Sequence, residues 1–247
     1  MRILIINPNM THRMTEMMVA EARTFCRPDT EVHGMSAEFG VPYIAARSEM
    51  AIAGYALLDR LARVHTDFDA VVVGAFCPIL VEPAKELIPI PVIGIAEASM
   101  RAALLLGRRV SIIGMGGPER GANQEIIAQM GMQADMASVR VLDISGTDLA
   151  ANPEAADAEV IRQGWAAVKE DHADVLILGG AAFAGMGARI VNKLPVPVIS
   201  PVPHAVNFLE TAVLTGWRKP TEGTYSPPGE KPTKGLSTEL AAFFRKD

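Results

Sequence analysis

Asp69-Ala70-Val71-Val72-Val73-Gly74 and Asp174-Val175-Leu176-Ile177-Leu178-Gly179 are the same sentence written twice, about 105 residues apart. Each opens on an aspartate, runs through four apolar residues and closes on glycine. Each is followed by a Pro-x-Pro-Val-Ile segment, at 89–93 and again at 195–199. The opening run Arg2-Ile3-Leu4-Ile5-Ile6 likewise resembles Arg109-Val110-Ser111-Ile112-Ile113. Three matching segments in one order read as two similar halves in tandem. Short, β-branched, continuously apolar runs suit parallel strands covered on both faces. They fall at 2–6, 70–73, 92–95, 109–113, 139–142, 175–178 and 196–199. Helical patterns alternate with them. Met14, Met17, Met18, Ala22 and Phe25 lie at helix spacing after Thr11, a candidate N-cap.

Strand–helix alternation with an internal repeat predicts an α/β fold of two pseudo-symmetric lobes with parallel sheets. The first lobe is expected over 1–98, with C-terminal helices returning to it from 205–247. The second is expected over 99–204. Ligands of parallel sheets sit at the carboxyl ends of the strands. The active site is therefore expected in a cleft between the lobes, lined by 7–11, 75–78, 114–118, 180–184 and 200–204.

Composition excludes several classes. The chain has 247 residues, 49% hydrophobic and 21% charged, with net charge −5. That is globular composition. Basic residues are neither in excess nor clustered, so nucleic acid is not an expected partner. Mean hydropathy is +0.22, but no apolar run reaches the ~18 residues that a membrane helix needs. The first residues read as a strand rather than a signal peptide. Two cysteines, Cys26 and Cys77, are too few for a disulfide framework or a cysteine-rich metal site. A cytoplasmic protein is the expectation. No G-x-G-x-x-G, P-loop or G-x-S-x-G pattern occurs, and no His/Asp/Glu cluster has metal spacing.

The opening Ile6-Asn7-Pro8-Asn9-Met10-Thr11, with Met14-Thr15 after it, resembles the start of the hydantoin and allantoin racemases of the aspartate/glutamate racemase superfamily. So do Pro91-Val92-Ile93-Gly94-Ile95-Ala96-Glu97-Ala98, Leu178-Gly179 with Ala184-Gly185-Met186, and the tail Gly223-Thr224-Tyr225-Ser226-Pro227-Pro228 with Lys234-Gly235-Leu236. The similarity runs along nearly the whole chain. It implies two Rossmann-like lobes, a cofactor-free isomerase acting on a small carboxylate or cyclic amide, and a homo-oligomer. In that family two cysteines flank the reacting carbon, one removing a proton and the other delivering one to the opposite face. Each stands six residues after the aspartate that opens its strand. Here those positions hold Ala75 and Gly180, and position 114, often threonine in the family, is Gly114. Three small residues imply a roomier site.

Other residues are then candidates for the chemistry. Cys77 follows a strand and precedes Pro78, where a helix start would favour a thiolate. His204 follows the strand at 196–199, and imidazole titrates near neutral pH. Tyr43 lies in Gly40-Val41-Pro42-Tyr43-Ile44, where the family reaches toward substrate, and Arg47 close by can pair with a carboxylate. Asn9 and Thr11 can hold a carbonyl or carboxylate. Ala75, Phe76, Gly114, Gly180 and Ala181 line the strand ends, the glycines offering backbone donors around a small anionic group. Cys26 reads as structural, His12 as a solvated helix residue, and His33, His65 and His172 as surface residues. Three functions compete: racemisation between a carbonyl and a nitrogen, a single-cysteine lyase or cyclic-amide hydrolase, and a binding protein without catalysis.

Overall fold

The computed structural model describes residues 1–115, 119–142 and 152–245. Its described residues form two four-stranded, all-parallel sheets. The first contains β1 (Arg2–Asn7), β2 (Glu31–Ser36), β3 (Ala70–Val73) and β4 (Val92–Gly94), in the order β2-β1-β3-β4. The second contains β5 (Val110–Met115), β6 (Met136–Leu142), β7 (Val175–Gly179) and β8 (Val198–Ile199), in the order β6-β5-β7-β8. The repeat read from the sequence is thus a repeat of topology.

The repeated aspartates have matching jobs. The Asp69 carboxylate accepts the Arg2 backbone N–H at 2.7 Å. The Asp174 carboxylate accepts the N–H groups of Arg108 and Arg109, each at 3.0 Å. Each aspartate staples the start of its strand to the start of the neighbouring one. The repeated prolines match as well: Pro91 O accepts from Val71 N and Pro197 O from Leu176 N, both at 2.9 Å.

The chain divides into two compact units. One comprises Met1–Gly74, Ile79–Gly94 and Val206–Asp247; the other comprises Ala75–Pro78 and Ile95–Ala205. Only the passage between 94 and 95 lies near the cut expected between 98 and 99, and Ala75–Pro78, expected with the first lobe, group with the second unit.

In the first unit, Ile3 to Ile6 and Val71 to Val73 are fully buried. Helices α1 (His12–Phe25), α2 (Arg47–Val64) and α3 (Val81–Leu87) belong to it. Strand β2 lacks a continuous apolar run, so it escapes the pattern that marks the others. It lies at the edge of its sheet, and only Val32 and Ser36 of its six residues are buried. The close approach of α1 needs Gly34, because a Cβ there would stand 2.6 Å from Val19 Cγ2. The buried face of α1 is Thr15, Met18, Val19, Glu21 and Ala22. Met14 and Met17 are only half-buried and Phe25 is exposed, which corrects the expected face. The helix turns Thr15 inward because its hydroxyl finds Asn7 at 3.1 Å and Ser36 at 2.7 Å.

In the second unit the two faces of one strand feed two cores. Val175 and Ile177 pack with Met100, Ile112, Ile127 and Ile199. Leu176 and Leu178 pack with Val160, Phe183, Met186 and Ile190. Both faces are covered, which is why these strands read as unbroken apolar runs. Helices α4 (Ile95–Ala103), α5 (Glu119–Gln129), α6 (Pro153–Asp171) and α7 (Met186–Ile190) lie in this unit. Helix α8 (Pro201–Leu214) begins in the second unit and ends in the first, and α9 (Thr238–Ala242) closes the chain. Among the described residues no helix is long and apolar enough to cross a membrane.

Candidate functional site

At the carboxyl end of β1 the chain is knotted into a polar turn. Asn7 is fully buried. Its Nδ2 donates to Asn9 Oδ1 (3.0 Å), to Thr15 Oγ1 (3.1 Å) and to Thr11 O (3.3 Å). Its Oδ1 accepts from Asn9 N at 3.2 Å. Asn9 Oδ1 also accepts the Thr11 N–H at 2.9 Å. The acceptor end of the Asn9 amide therefore serves the turn. Its donor end, Nδ2, meets the Met14 sulfur at 3.9 Å, a weak partner. Asn9 can thus offer a substrate a donor, on a side chain that is only 6% exposed.

Thr11 behaves differently from the expectation. It is the N-cap residue of α1, but its hydroxyl makes no capping bond. It donates instead to Pro42 O, and Met10 N donates to Val41 O at 3.0 Å. The hydroxyl expected to hold a substrate holds the loop that carries Tyr43. Tyr43 is exposed at 64%, and Arg47, the first residue of α2, is exposed too.

A second clamp closes that loop. Glu49 Oε2 accepts the N–H of Ala45 at 2.7 Å and of Ala46 at 2.8 Å. The Ala46 bond is ordinary helix capping. The Ala45 bond reaches a residue further into the loop. These N–H groups, Ala45 first, hold the Glu49 carboxyl below its ordinary value of 4.5. A depressed folded-state pKa means a tie fully present above the unfolded value and lost as pH falls through the folded one. Amide hydrogen exchange should show Ala45 and Ala46 protected at neutral pH and progressively freed below pH 4.5. Glu49→Gln should reduce their protection several-fold at neutral pH and flatten this dependence. Equal protection in both proteins would dismiss the clamp.

The other candidates belong to the second unit. Ala75 and Phe76 are half-buried, and Phe76 packs against the core of Met100, Ile112 and Ile199. Cys77 is buried, and neither cysteine is disulfide-bonded. The α-helix expected from Pro78 is absent. Pro78–Leu80 is a single 3₁₀ turn and α3 starts at Val81. Pro83 sets that start: it lacks an N–H, so it fits the first turn of a helix but not the sixth position of one beginning at Pro78. Cys77 therefore does not sit at an α-helix N-terminus, and helix-dipole activation of its thiol is withdrawn.

Gly114 and Gly179 lie inside β5 and β7, paired in register, rather than beyond the strands. The N–H of Gly180 is bonded to Leu178 O at 3.0 Å, so it is not the expected donor to a ligand. Ala181 is buried. Gly116, Gly117 and Pro118, the rest of the glycine-rich stretch, lie outside the described residues. The segment after β7 is braced by Arg189, whose guanidinium grips Asp157 with bonds of 2.8 and 2.7 Å and Gly185 O at 3.1 Å.

His204 sits in the first turn of α8, half-buried. Its Nδ1 is 2.8 Å from Ser200 O. A carbonyl only accepts, so Nδ1 carries the proton and Nε2 of the neutral ring keeps the lone pair. His12 is exposed, as read. His33 and His65 are not simple surface residues: both are half-buried, His33 meeting the Phe68 ring edge-to-face at 5.5 Å and His65 meeting the Phe243 ring at 5.3 Å with the rings tilted. Cys26 lies half-buried at the end of α1, its thiol pushed up by burial and then by Glu210. Among the described residues no three His, Cys, Asp or Glu are grouped to hold a metal ion.

Sequence reasoning missed Asn7, Thr15 and Glu49. Asn7 stands in the quoted Asn-Pro-Asn run, but its role as the hub of the turn depends on Ser36 and Thr15, which only the fold brings to it.

The Asp/Glu/Hydantoin racemase family model matches residues 3–209. The chain belongs to this family. It is 28% identical over 232 residues to a hydantoin racemase of Pseudomonas sp. strain NS671, covering 94% of this chain and 93% of that one. Allantoin racemase from Klebsiella pneumoniae superposes with a TM-score of 0.90 at 30% identity, covering 98% of both chains. Allantoin racemase from Pseudomonas fluorescens does so with a TM-score of 0.90 at 31% identity, covering 96% of this chain and all of that one.

Proposed function

We propose that the protein is a cofactor-independent isomerase that moves a proton at a carbon between a carbonyl and a nitrogen, in a hydantoin-like or amino-acid-derived small molecule. The observation that carries this reading is the match to racemases along nearly the full length of both partners.

Inverting such a carbon needs one group to take a proton and another to return one to the opposite face. Ala75 and Gly180 carry no ionisable group, so neither can do it. Cys77 and His204 are assigned the two roles, with Nε2 of His204 as its working nitrogen. The carbanion formed between these steps is stabilised by hydrogen-bond donors aimed at its carbonyl oxygen. Asn9 Nδ2 is assigned to that oxygen. Tyr43 and Arg47, on the loop clamped by Thr11 and Glu49, are assigned to the substrate's outer polar groups. The reading also includes a homo-oligomer acting in the cytoplasm, with neither nucleic acid nor membrane as partner.

The test is incubation in deuterated water with 5-substituted hydantoins and allantoin, followed by proton NMR and chiral chromatography. The expected result is loss of the C–H signal together with loss of optical activity, above the rate without protein. Conversion to an open-chain or decarboxylated product would overturn isomerisation in favour of hydrolysis or lysis. Ligand binding with neither exchange nor product would point to a non-catalytic protein.

A further inference from the structure

Three consecutive leucines follow α4, and all three are exposed. Leu104 is 37% exposed, Leu105 80% and Leu106 56%. One exposed leucine is ordinary, but three in a single turn make a continuous apolar tip. The tip cannot fold inward. Met100 and Ala103, just before it, already fill the core with Val110, Ile112 and Ile199. The backbone is tied down as well. The N–H groups of Leu105 and Leu106 donate to Ala102 O and Ala103 O, at 3.2 and 3.0 Å. Gly107 then seats the turn on the start of β7, where a Cβ would collide with Asp174 Cβ and stand 3.0 Å from Val175 Cγ2. The leucines are held out on a rigid frame, so docking them costs little ordering entropy.

The charges around the tip decide what kind of surface it fits. Arg101, before the leucines, stands 3.8 Å from Glu97. Arg108, after them, stands 3.8 Å from Asp135. The Arg109 guanidinium donates to Asp171 O and His172 O, at 2.9 and 3.1 Å. Asp174 beside it takes the backbone N–H groups of Arg108 and Arg109. Three arginines thus stand with three carboxylates. An anionic bilayer or an acidic peptide selects an excess of cations, and these six groups carry none. A neutral face built of both signs suits its own copy, since a two-fold axis sets one patch against itself. The Arg108–Asp135 contact fits that use. At 3.8 Å it is too long for a hydrogen bond, unlike the Arg189–Asp157 pair. The Arg108 side chain is 90% exposed, within reach of a carboxylate on a second molecule.

We propose that the turn of Leu104, Leu105 and Leu106 is a self-association surface. Two copies of the chain bury their leucine turns against each other about a two-fold axis, with Arg108 of each copy on Asp135 of the other. The proposal gives a surface to the homo-oligomer in the reading above and rests on that clause alone. The proton-transfer chemistry does not enter it.

The experiment measures assembly mass by sedimentation velocity across micromolar concentrations. It compares wild type with Leu105→Glu, Arg108→Glu and Asp135→Arg, each first checked for native circular dichroism. Wild type is expected to sediment as an oligomer. Leu105→Glu sets a charge in a closed apolar contact. It should cut the assembly mass by half or more, weakening association by more than about tenfold. Arg108→Glu and Asp135→Arg should each weaken association alone, because two carboxylates or two guanidiniums then meet. An equimolar mixture of these two variants should recover the wild-type mass, since both contacts across the two-fold then join opposite charges. Damage to the fold cannot produce that recovery. An oligomeric wild type whose mass none of the three changes alters would overturn the proposal and leave the homo-oligomer standing. Failure of the mixture to recover would overturn the two-fold pairing. A monomeric wild type would overturn both the proposal and the homo-oligomer. Co-sedimentation of that monomer with phosphatidylglycerol vesicles, lost in Leu105→Glu, would assign the tip to a bilayer instead.

Discussion

Cys77→Ala is expected to slow C–H exchange by about 10²- to 10⁴-fold, the usual worth of a positioned general acid or base. The case is one of elimination within a short segment. Ala75, Phe76 and Pro78 have no proton to give or take, and Cys77 is the only ionisable residue at this strand end. Its side chain is 6% exposed, so a thiolate there would be shielded from bulk water. Replacing sulfur by hydrogen removes one buried atom, which costs on the order of 1 kcal/mol of stability. The fold survives that, so a rate loss reports chemistry. Cys77→Ser sharpens the test. It preserves shape and hydrogen bonding but replaces a thiol by a hydroxyl, which is far harder to deprotonate. Initial exchange rates should drop in both variants with KM little changed, because the lost interaction belongs to the transition state. Rates within threefold of wild type in both variants would remove Cys77 from the mechanism. His204→Asn, which keeps a donor toward Ser200 O but no base, would then be the informative variant.

The strands that carry the fold could be read from the sequence because burial on both faces leaves one signature, an unbroken apolar run. β1, β3 and β7 have it, and β5 has it but for Ser111. The Asp-to-Gly repeat showed that they come in two equivalent sets. β2 could not be read that way. It lies at a sheet edge with only Val32 and Ser36 buried, and Gly34 and Ser36 look like a turn until α1 is seen to need the one and Thr15 the other. The candidate site divides along the same line. The turn at Asn9 and Thr11 could be located because it follows a strand end. Its bonding could not, because Thr11 finds its partner 31 residues away at Pro42. Glu49 was hidden for a local reason. The capping signal is a Ser or Thr three residues before a Glu, and that position holds Ala46, with nothing to pair. The helix start after Cys77 was within reach, since Pro83 alone forbids an α-helix running through from Pro78. The need for Gly179 was not, because only the fold shows that a Cβ there would stand 2.6 Å from Ile112 Cγ2.

Phe183→Ala is expected to cost about 3–5 kcal/mol, the largest stability loss of any single change considered. Phe183 is the largest fully buried side chain among the described residues. It packs with Leu176, Leu178, Met186 and Ile190, residues drawn from a strand and a helix that are both fixed elsewhere. Such a site collapses poorly, so most of the ring's volume would remain as a cavity. At about 2–4 °C per kcal/mol for a chain of this size, the midpoint should fall by about 6–20 °C. The two tryptophans make the loss assignable, since Trp165 lies in the second unit and Trp217 in the first. In a Trp217→Phe background, tryptophan fluorescence reports the second unit alone, and its transition should be the one that moves. A Cβ on Gly180 would stand 3.6 Å from Cδ2 of the same ring, so the two positions should be coupled. Gly180→Leu in the Phe183→Ala protein can turn its side chain into the vacated volume, whereas in wild type it meets the ring. A double-mutant cycle should therefore give a coupling energy of about 0.5–3 kcal/mol in the favourable direction, as for residues in contact. Strict additivity would mean that a side chain at position 180 does not meet the ring, against the distances above.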